Sequence, residues 1–167
     1  MSDAASQVLI SRLSGLQARI AQPADRSMVR QLVMADALHM LADVPGSVRS
    51  MMVSIQVEGR MDNLRHGRPD AETLLLGLDA RMVGMMTLDW TGPDGVALLD
   101  LTILPGQRRR GLGGMALSAL CGTADGMGLP VRAALFYHSD ARPFLSRAGF
   151  AVTNDRGTEI TLVRPPA

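Results

Sequence analysis

A single cysteine, a single tryptophan, a single tyrosine and three phenylalanines are all that this chain of 167 residues holds of thiol and aromatic chemistry. Cys121 has no second cysteine to join, so an intramolecular disulfide is excluded, and no Cys/His cluster has the spacing of a zinc site. His39, His66 and His138 are far apart in sequence, and no metal site is expected. Charge of one sign is not in excess: the formal net charge is +1, which gives no ground for a nucleic-acid or membrane-surface partner. The first residues lack a basic stretch followed by an apolar core, and no apolar run approaches the roughly 18 residues of a membrane span. The expectation is a soluble, cytoplasmic protein. No Gly-Lys-Ser or Gly-Lys-Thr occurs, which removes the nucleoside-triphosphate loop, and a dinucleotide fingerprint fails in its spacing after Gly113.

The length fits one domain with a real core, and 47% apolar with 20% charged residues is an ordinary globular balance. Twelve methionines stand in for the scarce aromatics as flexible core filler. Residues 1–14 begin polar and are expected to form a mobile extension with at best a short amphipathic helix, leaving 15–167 as the domain. Period-two alternation from Leu16 to Ala21 predicts a strand. Pro23 and Asp25 then introduce a helix to about Leu41, with Met28, Leu32, Ala35 and His39 on one face and Val29 and Val33 beside it. A second helix carries Val48, Met51, Met52 and Ile55 at helical spacing and stops before Gly67-Arg68-Pro69-Asp70. Three strands, 72–78, 81–90 and 96–104, are joined by turns short enough for an antiparallel meander. A buried helix over 112–126, a strand over 131–137, a short helix over 139–148 closed by Gly149 and a terminal hairpin complete the chain. One long helix thus crosses between strands 96–104 and 131–137, which suits a parallel pair in a mixed α/β fold.

The chemistry is concentrated in Leu101-Thr102-Ile103-Leu104-Pro105-Gly106-Gln107-Arg108-Arg109-Arg110-Gly111-Leu112-Gly113-Gly114, which reads as a strand, a basic glycine loop and a helix start. Glycines at 111, 113 and 114 remove the Cβ atoms that would keep a ligand off the backbone, and they permit the φ > 0 values that turn successive N–H groups towards one point. The first N–H groups of the following helix have no internal partners and lie at the positive end of its dipole. This is a phosphate cradle, with Arg108, Arg109 and Arg110 adding charge capable of forked contacts to phosphate oxygens.

Arg108-x-x-Gly111-x-Gly113 resembles the pyrophosphate loop of the GNAT superfamily of acyl-CoA-dependent N-acyltransferases, and Asp100-Leu-Thr-Ile-Leu-Pro105 resembles its usual lead-in. Ala141-Arg-Pro-Phe144-Leu145-Ser-Arg-Ala-Gly149-Phe150 looks like that family's helix followed by Gly-Phe. The resemblance implies a central, mostly antiparallel sheet whose one parallel pair, 96–104 and 131–137, splays apart, flanked by helices. It also implies acetyl-CoA as donor and a small-molecule or peptide amine as acceptor, and it leaves a homodimer open. Cofactor contacts are implied for Arg108, Arg109, Arg110, Gly111, Leu112, Gly113 and Gly114. The N–H of Ile103 or Leu104, beside a bulge, would face the thioester oxygen as an oxyanion donor. The segment from about 26 to 68 would line the acceptor pocket.

A lysine-like amine, with a pKa of about 10.4, arrives protonated and must lose a proton. Asp100, on the strand leading into the bulge, is the candidate base, and His138 an alternative proton handler. Many family members place a tyrosine five residues before the Phe of Gly-Phe to protonate the leaving thiolate. Leu145 stands there in this chain, so the thiolate leaves unassisted or Tyr137, the only tyrosine, serves. The departure keeps a second reading alive, a non-catalytic acyl-CoA-binding module.

Overall fold

The computed structural model describes residues 2–64, 68–137 and 139–167. Helix α1 (Ser2–Arg12) leads into β1 (Gln17–Ile20), a 3-10 turn at Pro23–Asp25, and the helix pair α2 (Arg26–Met40) and α3 (Gly46–Asp62). Strands β2 (Glu72–Leu78), β3 (Arg81–Asp89) and β4 (Val96–Ile103) follow. Then come α4 (Leu112–Gly126), β5 (Val131–Phe136), α5 (Ala141–Arg147), β6 (Ala151–Asp155) and β7 (Glu159–Arg164). The seven strands form one sheet in the order β1-β2-β3-β4-β5-β7-β6. Every pairing is antiparallel except β4 with β5, as expected of a crossover through α4.

Each face of the sheet buries its own apolar cluster, and the period of two along the strands sorts residues between them. Leu74, Leu76 and Met86 join Leu117, Leu120, Leu145 and Phe150 in the larger cluster, built with α1, α4 and α5. Leu75 and Met85 point the other way, against Val33, Val53 and Val57 of α2 and α3. The middle of β2 is therefore continuously apolar because it is covered on both sides. Met85 and Met86 are fully buried, as core filler should be, whereas Met40 and Met51 are exposed. Among the described residues no helix is long and apolar enough to cross a membrane.

Three details depart from the sequence expectation. Residues 2–12 form α1, whose Ala5 and Leu9 lie in the larger cluster with Leu13 just beyond the helix, and Ser6 Oγ accepts a 2.9 Å bond from the Trp90 indole N–H. A segment with Leu9 wholly buried is an element of the domain. On α2 the buried face is Val29, Leu32, Val33, Asp36 and Ala37, with His39 exposed. On α3 it is Val53, Val57 and Met61, with Val48, Met51 and Ile55 exposed. Both helices are apolar on more than one side, so periodicity alone does not choose the face; contact with Leu75 and Met85 does.

Leu9→Ala is expected to destabilise the protein by about 2–5 kcal/mol, the usual cost of an emptied leucine site, read as a lower urea midpoint with an unchanged m-value. A midpoint equal to that of the unsubstituted chain would return α1 to the status of a loose appendage.

Candidate active site

The site begins where β4 parts from β5. Their parallel pairing runs from Val96↔Val131 through Leu98↔Ala133 and stops, while β5 continues along β7 as far as Phe136↔Glu159. On the other side of β4, Thr87 pairs with Asp100 but Leu88 pairs with Leu98, so Leu99 is an extra residue, a β-bulge. From Leu99 onward the β5-facing edge of β4 has no strand partner. Gly84 makes the close approach of β3 to this end possible: a Cβ there would stand 2.3 Å from the Thr102 carbonyl oxygen.

Alternation of main-chain groups along an antiparallel pair decides which amides face the gap. Leu104 N–H donates to the Val83 carbonyl at 2.8 Å, so it points into the sheet and cannot meet a thioester oxygen. One residue earlier the direction reverses, and Ile103 N–H faces the gap. By the same alternation Leu101 N–H does too, a position that the sequence pattern does not single out.

Beyond a 3-10 turn at Pro105–Gln107, the backbone is extended at Arg108 and left-handed at Arg109 (φ 63°) and Gly111 (φ 80°). The first main-chain bond of α4 runs from Met115 N–H to the Gly111 carbonyl, 2.9 Å. The amides of Leu112, Gly113 and Gly114 therefore precede any intrahelical acceptor and sit at the positive helix end. A Cβ on Gly111 or Gly114 would meet nothing within 4 Å, while one on Gly113 would touch the Phe144 ring at 3.6 Å and Ile103 Cγ1 at 3.7 Å. Unpaired amides at a positive helix end, beside glycines with open space about them, can receive an anion.

The three arginines divide. Arg109 and Arg110 are exposed, and Arg110 bonds Gln107 Oε1. Arg108 turns inward: its Nε donates to the Ile103 carbonyl at 2.9 Å and its Nη2 to Asp36 Oδ1. It braces the loop from beneath, and its guanidinium does not project outward as a phosphate fork.

Asp100 is half-buried beside the bulge. Its Oδ2 accepts from Arg60 Nη2 at 2.6 Å and its Oδ1 from the Thr102 hydroxyl at 2.7 Å, while Arg60 also reaches Thr102 Oγ1 at 2.8 Å and Asp36 Oδ2 at 2.5 Å. Burial works against the Arg60 charge, but the Asp100 and Asp36 carboxylates outweigh it and hold the guanidinium above its ordinary pKa. Arg60, Asn63, Leu64, Arg68, Leu99 and Asp100 line a pocket of about 300 Å³. Arg68 and Leu99 also border a neighbouring cleft of about 360 Å³ that reaches Ala97, Arg132 and Thr161. Arg68 is anchored by Asp89 at 2.8 Å; burial raises the Asp89 pKa, and bonds from Thr91 and Arg68 bring it below the ordinary value.

Tyr137 is 39% exposed, donates its main-chain N–H to Thr158 at 3.0 Å and lies with its ring 5.7 Å from the Arg142 guanidinium carbon. Continuing the β4–β5 offset sets it level with residues 102–103, across the gap. Leu145 is buried in the larger cluster. His138 and His66 lie outside the described residues.

Residues 46–150 match the model of the acetyltransferase (GNAT) family. The chain belongs to that family. It is an acetyl-CoA-dependent N-acetyltransferase. No curated protein matches it. Solved structures share the fold of this acetyltransferase at low identity. A PaiA N-acetyltransferase from Thermoplasma acidophilum, in complex with coenzyme A, has a TM-score of 0.69 at 13% identity, over 91% of this chain and 99% of its own. An acetyltransferase from Thermus thermophilus has 0.67 at 23% identity, over 92% and 99%. A Bacillus anthracis acetyltransferase bound to acetyl coenzyme A has 0.52 at 13% identity, over 60% and 66%.

Proposed function

We propose that the acceptor is a primary amine, held in the Arg60–Asp100 pocket, and that it attacks the thioester directly in the gap between β4 and β5. The observation that carries this is the bulge at Leu99, which sets a half-buried carboxylate, Asp100, beside a strand edge whose amides have no strand partner. A covalent relay finds no support: Cys121, the only thiol, is buried in the core, and burial pushes its pKa up, away from the reactive thiolate.

Acetyl-CoA supplies a thioester carbonyl to be attacked and a thiol, pKa near 8.5, that can depart. Ile103 N–H stabilises charge growing on the carbonyl oxygen, while Leu101 N–H, roughly 7 Å away along the strand, is left for another acceptor on the donor's arm. The amides of Gly111, Leu112, Gly113 and Gly114 hold the pyrophosphate, while Arg109 and Arg110 add surface charge. Asp100 attracts and orients the incoming ammonium. Transfer of a proton from a free ammonium to a carboxylate is uphill by about six pK units, so the first proton is lost to solvent and only the neutral amine, with its lone pair free, attacks; Asp100 takes the second proton as the C–N bond forms and the nitrogen turns acidic. Tyr137, on the far side of the gap, returns a proton to sulfur in this reading. With one buried cysteine and no membrane-spanning helix among the described residues, a reducing compartment such as the cytoplasm suits the reading.

Thiol release from acetyl-CoA, measured over small amines and short peptides, tests it. The expected result is amine-dependent release, with kcat/KM rising about tenfold per pH unit between pH 7 and 9 as the neutral fraction of a lysine-like amine grows. Tight CoA binding without release for any amine would establish the binding-module reading instead.

A further inference from the structure

Helix α2 carries one charged residue on its buried face, Asp36, among Leu32, Val33 and Ala37. A carboxylate there is tolerable only when paired, and both of its oxygens are: Oδ1 with Arg108 of the donor loop, Oδ2 with Arg60 of α3 at 2.5 Å. Arg60 in turn holds Asp100 at 2.6 Å, and Arg108 holds the Ile103 carbonyl at 2.9 Å. The four side chains form an unbroken chain of alternating charge, Arg108–Asp36–Arg60–Asp100, which starts under the phosphate loop and ends at the acceptor pocket. No hydrogen bond or ion pair among the described residues joins Arg60 to the loop except through Asp36.

We propose that Asp36 is a positioning residue which couples donor binding to the acceptor carboxylate, so that the loop geometry that receives acetyl-CoA and the Asp100 geometry that receives the amine are set together. Such a network of paired ions adds little net stability over apolar packing; its specific consequence is that Arg60 and Arg108 cannot move independently. Coupling between two sites is reciprocal, so a change on the acceptor side must be felt in CoA affinity. The proposal rests on the loop being the donor site, and CoA binding to the unsubstituted chain is measured first.

The experiment is a double-mutant cycle read by isothermal titration of CoA into the full chain. Arg60→Lys, which cannot bridge two carboxylates and Thr102, is expected to weaken CoA binding by about fivefold, the lower end of site-to-site coupling. In an Asp36→Asn background the same substitution is expected to change it by less than about twofold, because the link is already cut. A second cycle, Arg60→Lys with Arg108→Lys, reads the coupling without altering Asp36 and decides the matter if Asp36→Asn does not fold; its two effects should be non-additive. Glu58→Gln, which breaks the exposed Arg30–Glu58 pair between the same helices, should leave CoA affinity unchanged. A merely structural Asp36 would lower the melting temperature of these variants while the effects on CoA affinity stay additive or absent. That outcome with CoA bound normally overturns the coupling alone; no CoA binding to the unsubstituted chain overturns the donor-loop reading with it.

Discussion

Gly111→Glu is expected to lower CoA affinity by two to four decades in a protein that still folds. Gly111 holds φ 80° at the entrance to α4, and a side chain there would project into open space in front of the loop amides. A pyrophosphate in that space takes charge-assisted hydrogen bonds contributing about 1.5–3 kcal/mol each, and every 1.4 kcal/mol is tenfold. Displacing even two of them, and adding a like charge, gives the stated loss. The backbone strain of a non-glycine residue in the left-handed region costs only about 1–2 kcal/mol, which a domain of this size survives. Gly111→Ala, strained but uncharged and short, should fall between the two in a CoA titration. Equal affinities for all three proteins would place the pyrophosphate elsewhere.

Asp100→Asn should reduce kcat with a primary amine by about 10²- to 10⁴-fold, the usual contribution of a positioned proton acceptor, while CoA affinity changes no more than a few-fold. Asparagine keeps the shape and a hydrogen-bonding oxygen, so Arg60 and Thr102 retain a partner; the basicity and the charge that draws in the ammonium are lost. A fall in KM-dependent terms alone, with kcat intact, would reduce Asp100 to an anchor for Arg60. Tyr137→Phe is the companion measurement. A similar fall in kcat would make the phenol the proton donor to sulfur, and an unchanged kcat would mean that thiolate departs unassisted, in keeping with Leu145, which is buried in the core and carries no hydroxyl.

Most of the element order was legible because its signals are local. Pro105 and the glycines at 111, 113 and 114 announce the loop, and two strands separated by a helix-length segment announce the parallel pair seen between β4 and β5. The parts that were not legible depend on contacts between distant residues. Asp36 meets Arg60 across 24 positions and Arg108 across 72, and Arg60 meets Asp100 across 40. Nothing near Arg108 distinguishes an arginine that reaches outward to phosphate from one that turns under its own loop. The unused hint was Asp36 itself, a charge beside Leu32, Val33 and Ala37 on the buried face of α2.

All 17 basic residues of the chain are arginine, so the sequence alone determines that this N-acetyltransferase offers no lysine ε-amine of its own for acetylation. It also determines the glycine loop, since freedom at φ > 0 and the lack of a Cβ are properties of the residue itself. Which amides face the gap between β4 and β5 was decided only by the tertiary structure. Leu104 and Ile103 are neighbours with equivalent backbones, and the pairing of Leu104 with Val83 on β3 sends one N–H into the sheet and the other into the gap. The same holds for the charges: residue type makes Asp36, Arg60, Asp100 and Arg108 ionic, but only the packing of α2 and α3 on the sheet joins them into one network, because electrostatic pairing at hydrogen-bond distance requires atoms that the fold has brought together.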